Sequence, residues 1–379
     1  MADKALTREQ SPAPVQDVNR TSAHPADEEM PRVHFTRRNA LAFGLFILSA
    51  LAFLYFVVPK LTGLSDTWDR LNHGQPGWLA VAAVLEVFSF AGYVILFRTV
   101  FVRGDSQIDW PESYQITMAG LAATRLFAAA GAGGIALTAW ALRRSGMPRR
   151  IVACRMVAFM ALLYVVYMLA LLIDGVGLRT GVFPGGGSFA ITVIPAIFAG
   201  AVIAIGLGIS LIPSDLERRL LRAARGHRRL RLARFAARAA TVPATLATGF
   251  RTAIDLVRAR QPGLLGAPLW WAFDIAVLWA CFHAFGANPP RTAVIVMAYY
   301  VGTLANALPL PGGIGGVEGG MIGAFLAFGV PDGLAVVVVL TYRAFSFWLP
   351  TIPGAVAYWQ LRRTVARWRE QRAQATAAV

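Results

Sequence analysis

Five ionisable residues fall near the middle of long apolar runs: Glu86, Arg125, Asp274, Glu318 and Arg343. A charged side chain facing lipid costs at least about 2.5 kcal/mol on the most lenient insertion scale. These side chains are therefore expected in pairs or around a wet cavity. A guanidinium can hold a phosphate with two parallel hydrogen bonds, and a carboxylate can hold an amine or a proton. The same residues also suit a purely structural use, in which arginines pair with carboxylates to lock helices together. Glu318 stands five residues after Gly313, on the half-helix that starts at the Gly312-Gly313 break. There it would face the cavity and feel the positive field of a helix N-terminus. Asn306, Tyr299 and Tyr300 are further candidates for the cavity wall, although the tyrosines equally suit an interfacial aromatic belt.

Other chemistry is excluded by what the sequence lacks. Of 379 residues, 56% are apolar and only 15% charged, with a mean hydropathy of +0.55. A soluble domain carries about a quarter charged residues, so a soluble globular enzyme does not fit. Two cysteines cannot make a disulfide scaffold or a Cys-rich metal site, and Cys154 and Cys281 read as small core residues. His283 has no second His or Cys at metal-ligand spacing, so it reads as a packed residue, and neither metal nor cofactor is expected. Gly131-Ala132-Gly133-Gly134 falls short of the dinucleotide fingerprint, and there is no nucleotide-binding Gly-x-x-x-x-Gly-Lys-Ser/Thr and no Gly-x-Ser-x-Gly elbow. The formal charge of +16 comes with 34 arginines among 36 basic residues. No nucleic-acid-reading module accompanies that charge, so nucleic acid is not an expected partner. It reads instead as arginine-rich cytoplasmic loops.

The elements that must position the five charges are membrane helices, each needing about 20 apolar residues. Residues 1–36 carry Pro12, Pro14, Pro25 and Pro31 among mixed charges and read as a disordered cytoplasmic tail. An uncleaved first helix is expected over 41–58. Further spans are expected at 78–97, 151–172, 189–212, 264–286 and 334–357, ahead of a cytoplasmic tail over 366–379. Arg155 and Asp174 lie near helix ends, where snorkelling accounts for them. Arginines cluster before the first helix, between 141 and 151, in loop 213–263 (twelve of them) and after 361. The positive-inside rule places these regions and both termini in the cytoplasm. The arginine excess over lysine and the abundant alanine give a GC-rich bacterial composition, so a bacterial inner membrane is expected. Parity then requires segment 113–141 to enter and leave from the cytoplasm, and segment 292–329 from the outside. Each is expected as a re-entrant or broken-helix hairpin.

The hairpins share a pattern. Gly133-Gly134-Ile135 and Gly146-Met147-Pro148 precede one long apolar helix; Gly312-Gly313-Ile314 and Gly329-Val330-Pro331 precede another. The expected fold is an all-α polytopic membrane protein of about six spans with two broken hairpins in an inverted repeat, a transporter architecture whose polar site lies at the midplane. Within the basic loop, residues 214–260 are expected to form two amphipathic helices parted near Pro243, with Leu246, Phe250, Ala253, Ile254 and Val257 on one face. Such helices suit an anionic leaflet surface, or serve only to set orientation.

The run Pro309-Leu310-Pro311-Gly312-Gly313-Ile314-Gly315-Gly316-Val317-Glu318 resembles the transmembrane region of lysylphosphatidylglycerol synthases, a flippase-like domain also found alone. The order of helices and breaks agrees across roughly 37–365. Ala129 and Ala130 replace the prolines usual in the first hairpin. The resemblance implies movement of a phospholipid between leaflets. The soluble aminoacyl-transfer domain of two-domain relatives is expected to be missing, which argues against an enzyme. On this reading Arg125 and Arg343 would hold the headgroup phosphate, and Glu318 a cationic or hydroxylated part, with Glu86, Asp274, Asn306, Gly312 and Gly313 completing the site. Membrane phospholipids are the expected partners. Rival readings are a secondary transporter of a soluble solute, an intramembrane enzyme using Glu318 or Asp274, and a non-transporting partner of a separately encoded lipid-modifying enzyme.

Overall fold

The computed structural model describes residues 74–102, 107–126, 132–212, 230–286, 288–307 and 313–377. The expected helix at 41–58, the N-terminal tail and Gly312 lie outside them. Among the described residues every regular element is a helix, and five stretches are long and apolar enough to cross a membrane: Pro76–Phe101, Arg149–Thr180, Phe189–Ser210, Pro262–Phe285 and Asp332–Gln374. Each contains or closely matches one expected span. The chain is an all-α polytopic membrane protein.

In chain order the helices are α1 (Pro76–Phe101), α2 (Trp110–Leu126), α3 (Ala132–Arg144), α4 (Arg149–Thr180), α5 (Phe189–Ser210), α6 (Leu230–Arg258), α7 (Gly266–Phe285), α8 (Thr292–Thr303), α9 (Gly316–Ala327), α10 (Asp332–Arg343) and α11 (Thr351–Ala377). A 3-10 turn, Pro262–Leu265, leads into α7, and a π turn, Ala344–Trp348, joins α10 to α11. Pro76 at the first turn of α1 supplies a pre-set φ where no N–H is needed.

The centre of the molecule is the α1–α7 pair. Gln75 N donates to Ala284 O at 3.0 Å, and Ser89 Oγ to Trp270 O at 3.0 Å, so the helices run antiparallel. They approach so closely at Gly92 and Gly266 that a Cβ on Gly92 would stand 2.9 Å from Gly266 O. Small residues permit this backbone approach in membrane helices. The antiparallel register sets Glu86 opposite Asp274, the two carboxyl groups of the cavity described below.

Both hairpins are present as helix pairs, α2–α3 and α8–α9, and each ends in the same turn. Met147 N donates to Leu142 O and Val330 N to Phe325 O, each five residues back, around Gly146 (φ 100°) and Gly329 (φ 79°). This is a Schellman closure with glycine in the left-handed region, followed by Pro148 or Pro331 at the start of the next helix. Counting back from these turns corrects the motif pairing expected from sequence. Gly133-Gly134-Ile135 lies inside α3, whereas Gly313 and Ile314 precede α9. The structural counterpart of Glu318 in the first hairpin is Ile135, four positions out of the sequence register.

The basic loop also differs from expectation. Instead of two helices parted near Pro243, α6 is continuous through it. Ala247, Ala253 and Leu256 are buried, and Gly249 lies against Val157 and the Cys154 carbonyl of α4. Arg251 Nη2 donates to Ile212 O at 2.7 Å. The apolar face of the C-terminal half of α6 is thus spent on α4, while Val257 is exposed.

Candidate functional site

A cavity of about 460 Å³ lies where the two hairpins meet the α1–α7 pair. Its wall includes Glu86, Arg125, Asp274, Asn306, Gly313 and Arg343 among the residues singled out from sequence. Gly313 has a φ of 68°, and a Cβ there would strike the Asn306 side chain, so glycine lets the two pack together. Glu318 is not part of the wall.

Glu318 is instead fully committed. Its Oε2 accepts the Gly315 N–H at 2.8 Å, capping α9, and its Oε1 accepts Arg343 Nε at 2.7 Å. The Arg343 guanidinium also lies 4.4 Å from the Phe347 ring centroid. The helix-locking alternative therefore describes Glu318, and the expectation that it faces the cavity is corrected. Arg343 reaches the wall carrying its own counterion.

Arg125 is held differently. Its Nη1 donates to Phe347 O at 3.0 Å and its Nη2 to Ser346 O at 2.8 Å. These carbonyls belong to the π turn, where Leu349 N reaches back to Ala344 O at 2.9 Å. Single π turns open the helical ladder and recur at functional sites. Pro350 has no N–H to offer Ser346 O, so the guanidinium takes the donor's place. The Phe90 and Phe347 rings lie 5.7 and 5.4 Å away, which favours a cation. The hydrogen-bond partners of Arg125 are thus neutral carbonyls, with the Glu86 and Asp274 carboxyls across the same cavity.

On the opposite side, Asp274 Oδ2 accepts the hydroxyls of Tyr299 and, at 3.0 Å, Tyr342. Glu86 is 3% exposed, and its Oε2 has no hydrogen-bond partner among the described residues. Asp174, expected to reach water from a helix end, is 6% exposed with Oδ2 likewise unpartnered. Arg155 turns inward to donate to Phe101 O at 2.8 Å. His283 packs on Trp279, ring centroids 4.0 Å apart. Among the described residues no group of three His, Cys, Asp or Glu is placed to hold a metal ion.

Sequence reasoning missed much of the wall. Tyr93, Tyr164, Trp270, Trp271 and Tyr342 line it, with Thr117, Thr124 and Thr138 from the first hairpin. Trp271 Nε1 is anchored on Leu163 O at 2.8 Å, and Tyr167 donates to Tyr300 O at 2.6 Å, so hydroxyls and indole reach partners across helices. The adjacent tryptophans at 270–271, close to Asp274 in the same span, were the available signal. Two wall residues, Ile135 on α3 and Tyr164 on α4, are each 47% exposed.

Comparison with known proteins places the chain among membrane proteins. A UPF0104 membrane protein of Methanothermobacter thermautotrophicus is 25% identical over 340 residues, covering 87% of this chain and 96% of the relative. A UPF0104 membrane protein of Pyrococcus horikoshii is 34% identical over 86 residues, 23% of this chain and 26% of the relative. Both are archaeal, so the kinship does not single out a bacterial membrane. Residues 40–354 match the family described as the lysylphosphatidylglycerol synthase TM region, a membrane region rather than a catalytic domain. With that match running across most of its length, the chain belongs to the lysylphosphatidylglycerol synthase transmembrane region family.

Proposed function

We propose that this protein moves phospholipid headgroups between leaflets through the cavity between its hairpins. The observation that carries the reading is Arg125: a cation in a membrane-embedded cavity, oriented by two neutral carbonyls and open to an anion. A phosphate is the anion a lipid supplies, and a guanidinium accommodates it with parallel hydrogen bonds. Asp274, with Tyr299 and Tyr342, faces a hydroxylated or cationic part of the headgroup. Glu318 acts through Arg343, as a positioning residue. The exposed wall at Ile135 and Tyr164 supports a lateral entrance that leaves the acyl chains in lipid, as a flippase needs and a carrier of soluble solutes does not. The basic clusters keep both termini on the cytoplasmic side in this scheme, which leaves α6 beside an anionic leaflet.

The test is leaflet exchange in proteoliposomes. Vesicles of phosphatidylcholine and phosphatidylglycerol carry an acyl-labelled fluorescent phosphatidylglycerol, and an impermeant reductant bleaches the outer leaflet. Wild-type protein is expected to expose inner label, and Arg125→Gln to slow exposure at least about tenfold, a loss of about 1.4 kcal/mol. Folded Arg125→Gln protein that moves label at the wild-type rate would overturn the site.

A further inference from the structure

We infer that Glu86 takes up and releases one proton for each headgroup that crosses, so that movement responds to a pH gradient. The inference rests on the translocation reading and adds its energy source. Glu86 stands at mid-span on α1, 97% buried, on the cavity wall, with Oε2 unpartnered among the described residues. An ionised carboxylate in that position lacks the hydrogen bonds that offset desolvation. The charged and titratable groups sharing its surroundings are Asp274 and Cys281 on α7, Arg125 on α2, Tyr164 on α4, and Tyr342 and Arg343 at the end of α10. Among the described residues none donates to Glu86 Oε2: the Arg125 Nη donors go to Ser346 O and Phe347 O, Arg343 Nε goes to Glu318, and Tyr342 goes to Asp274. Asp274 adds a second acid across the α1–α7 register.

The coupling follows from charge. A phosphate anion arriving at Arg125 brings negative charge into a low-dielectric space already holding Glu86 and Asp274, and like charges there repel strongly. The Glu86 carboxylate answers by accepting a proton from the acidic side to become the neutral acid. When the headgroup leaves on the other side, the O–H bond breaks, the proton passes to that compartment, and the carboxylate returns. No electrons move, and one monoanionic lipid crosses with one proton, so the cycle carries no net charge. Lipid then accumulates in the leaflet facing the alkaline side, at most about tenfold per pH unit, and membrane potential alone has no effect.

The same phosphatidylcholine–phosphatidylglycerol vesicles test this with a pH step of about one unit, the potential clamped by potassium and valinomycin. Wild type is expected to enrich label on the alkaline leaflet. Glu86→Gln is expected to leave it evenly distributed whatever its rate, and Glu86→Asp, which keeps a carboxyl, to retain enrichment. An even distribution reached by active wild type, or enrichment driven by a sodium gradient instead, would overturn the inference while leaving translocation standing. Wild type that moves no label faster than empty vesicles would sink the translocation reading instead. A second measurement separates the two cases without transport. In detergent-solubilised protein, the infrared C=O band of protonated carboxyls is expected to change between mildly acidic and mildly alkaline buffer in wild type, and one carboxyl's share of this change should be missing in Glu86→Gln, the share of the other buried acids Asp174 and Asp274 remaining. Identical spectra for the two proteins would remove Glu86 as the proton site.

Discussion

In the second half of the molecule Arg343 meets a carboxylate that also caps the helix beside it; in the first half Arg125 meets two backbone carbonyls and no carboxylate. The hairpins otherwise close with the same Schellman turn, and each crosses itself at glycines. Where α9 carries Glu318, α3 carries Ile135. One arginine is thus ion-paired and the other is hydrogen-bonded to neutral carbonyls. The difference teaches which is structural and which is available. A buried ion pair with a shared cap ties α9 to α10, whereas the Arg125 guanidinium is held by carbonyls alone, which on the proposed reading leaves its charge for a ligand.

The pair at Glu318 gives the largest expected effect. Glu318→Ala removes the carboxylate paired with Arg343 and uncaps α9, and removal of one partner of a buried pair costs about 3–5 kcal/mol. Thermal unfolding of solubilised protein should show the loss. The double variant Glu318→Leu/Arg343→Met should recover much of it, because apolar residues of similar volume carry no stranded charge. If the double variant unfolds as early as the single, the pair is not what holds α9 to α10.

Arg125 is expected to behave in the reverse proportion. Hydrogen bonds involving a charged group contribute about 1.5–3 kcal/mol, so Arg125→Gln should unfold later than Glu318→Ala. Its leaflet exchange, however, should fall at least about tenfold. Should Arg125→Gln prove the less stable of the two yet retain exchange, the assignment of roles would have to be swapped.

The sequence made some of this difference readable and hid the rest. Hydropathy located α1, α4, α5, α7 and α10–α11, because a spanning helix leaves a long apolar run whatever it packs against. The five mid-span charges stood out for the same reason. The partner of each charge was not legible, since it depends on which helix faces which. Asp274 finds Tyr299 and Tyr342, 25 and 68 residues away. Arg125 finds carbonyls more than 220 residues away, in a π turn that no side-chain pattern announces. The Gly-Gly-Ile likeness misled because glycine pairs recur for different reasons: Gly134 gives room to Gly120 and Thr124, while Gly313 takes a left-handed φ. Pro243 misled because a proline within a helix removes one hydrogen bond without always ending the element. Packing on α4 holds α6 continuous around it.

The glycine crossings test whether the hairpins are equally tight. A Cβ on Gly134 would collide with Gly120 O and Thr124 Oγ1; on Gly302 it would lie 2.7 Å from Met321 N. Overpacking of this kind costs about 1–3 kcal/mol. Gly134→Ala and Gly302→Ala should therefore lower thermal stability by similar amounts. A loss confined to Gly302→Ala would mean that the first hairpin yields where the second cannot.

The smallest effect on stability, and the sharpest on the comparison, is expected at Pro350. Replacement by alanine restores an N–H four residues on from Ser346 O, which now accepts from Arg125. A new backbone hydrogen bond contributes about 0.5–1.5 kcal/mol, and the extra freedom of the unfolded chain takes back about 0.4–1 kcal/mol. Unfolding should hardly move. Function should move more, because a carbonyl already accepting a backbone N–H holds a second donor less firmly, and Arg125 loses part of its orientation. A weakening of about 0.5–1 kcal/mol is a slowing of roughly two- to fivefold, measurable as leaflet exchange against the unchanged melting curve. If exchange is unaffected, the carbonyls of the π turn do not orient Arg125, and its charge must be presented to the cavity by the Phe90 and Phe347 rings alone.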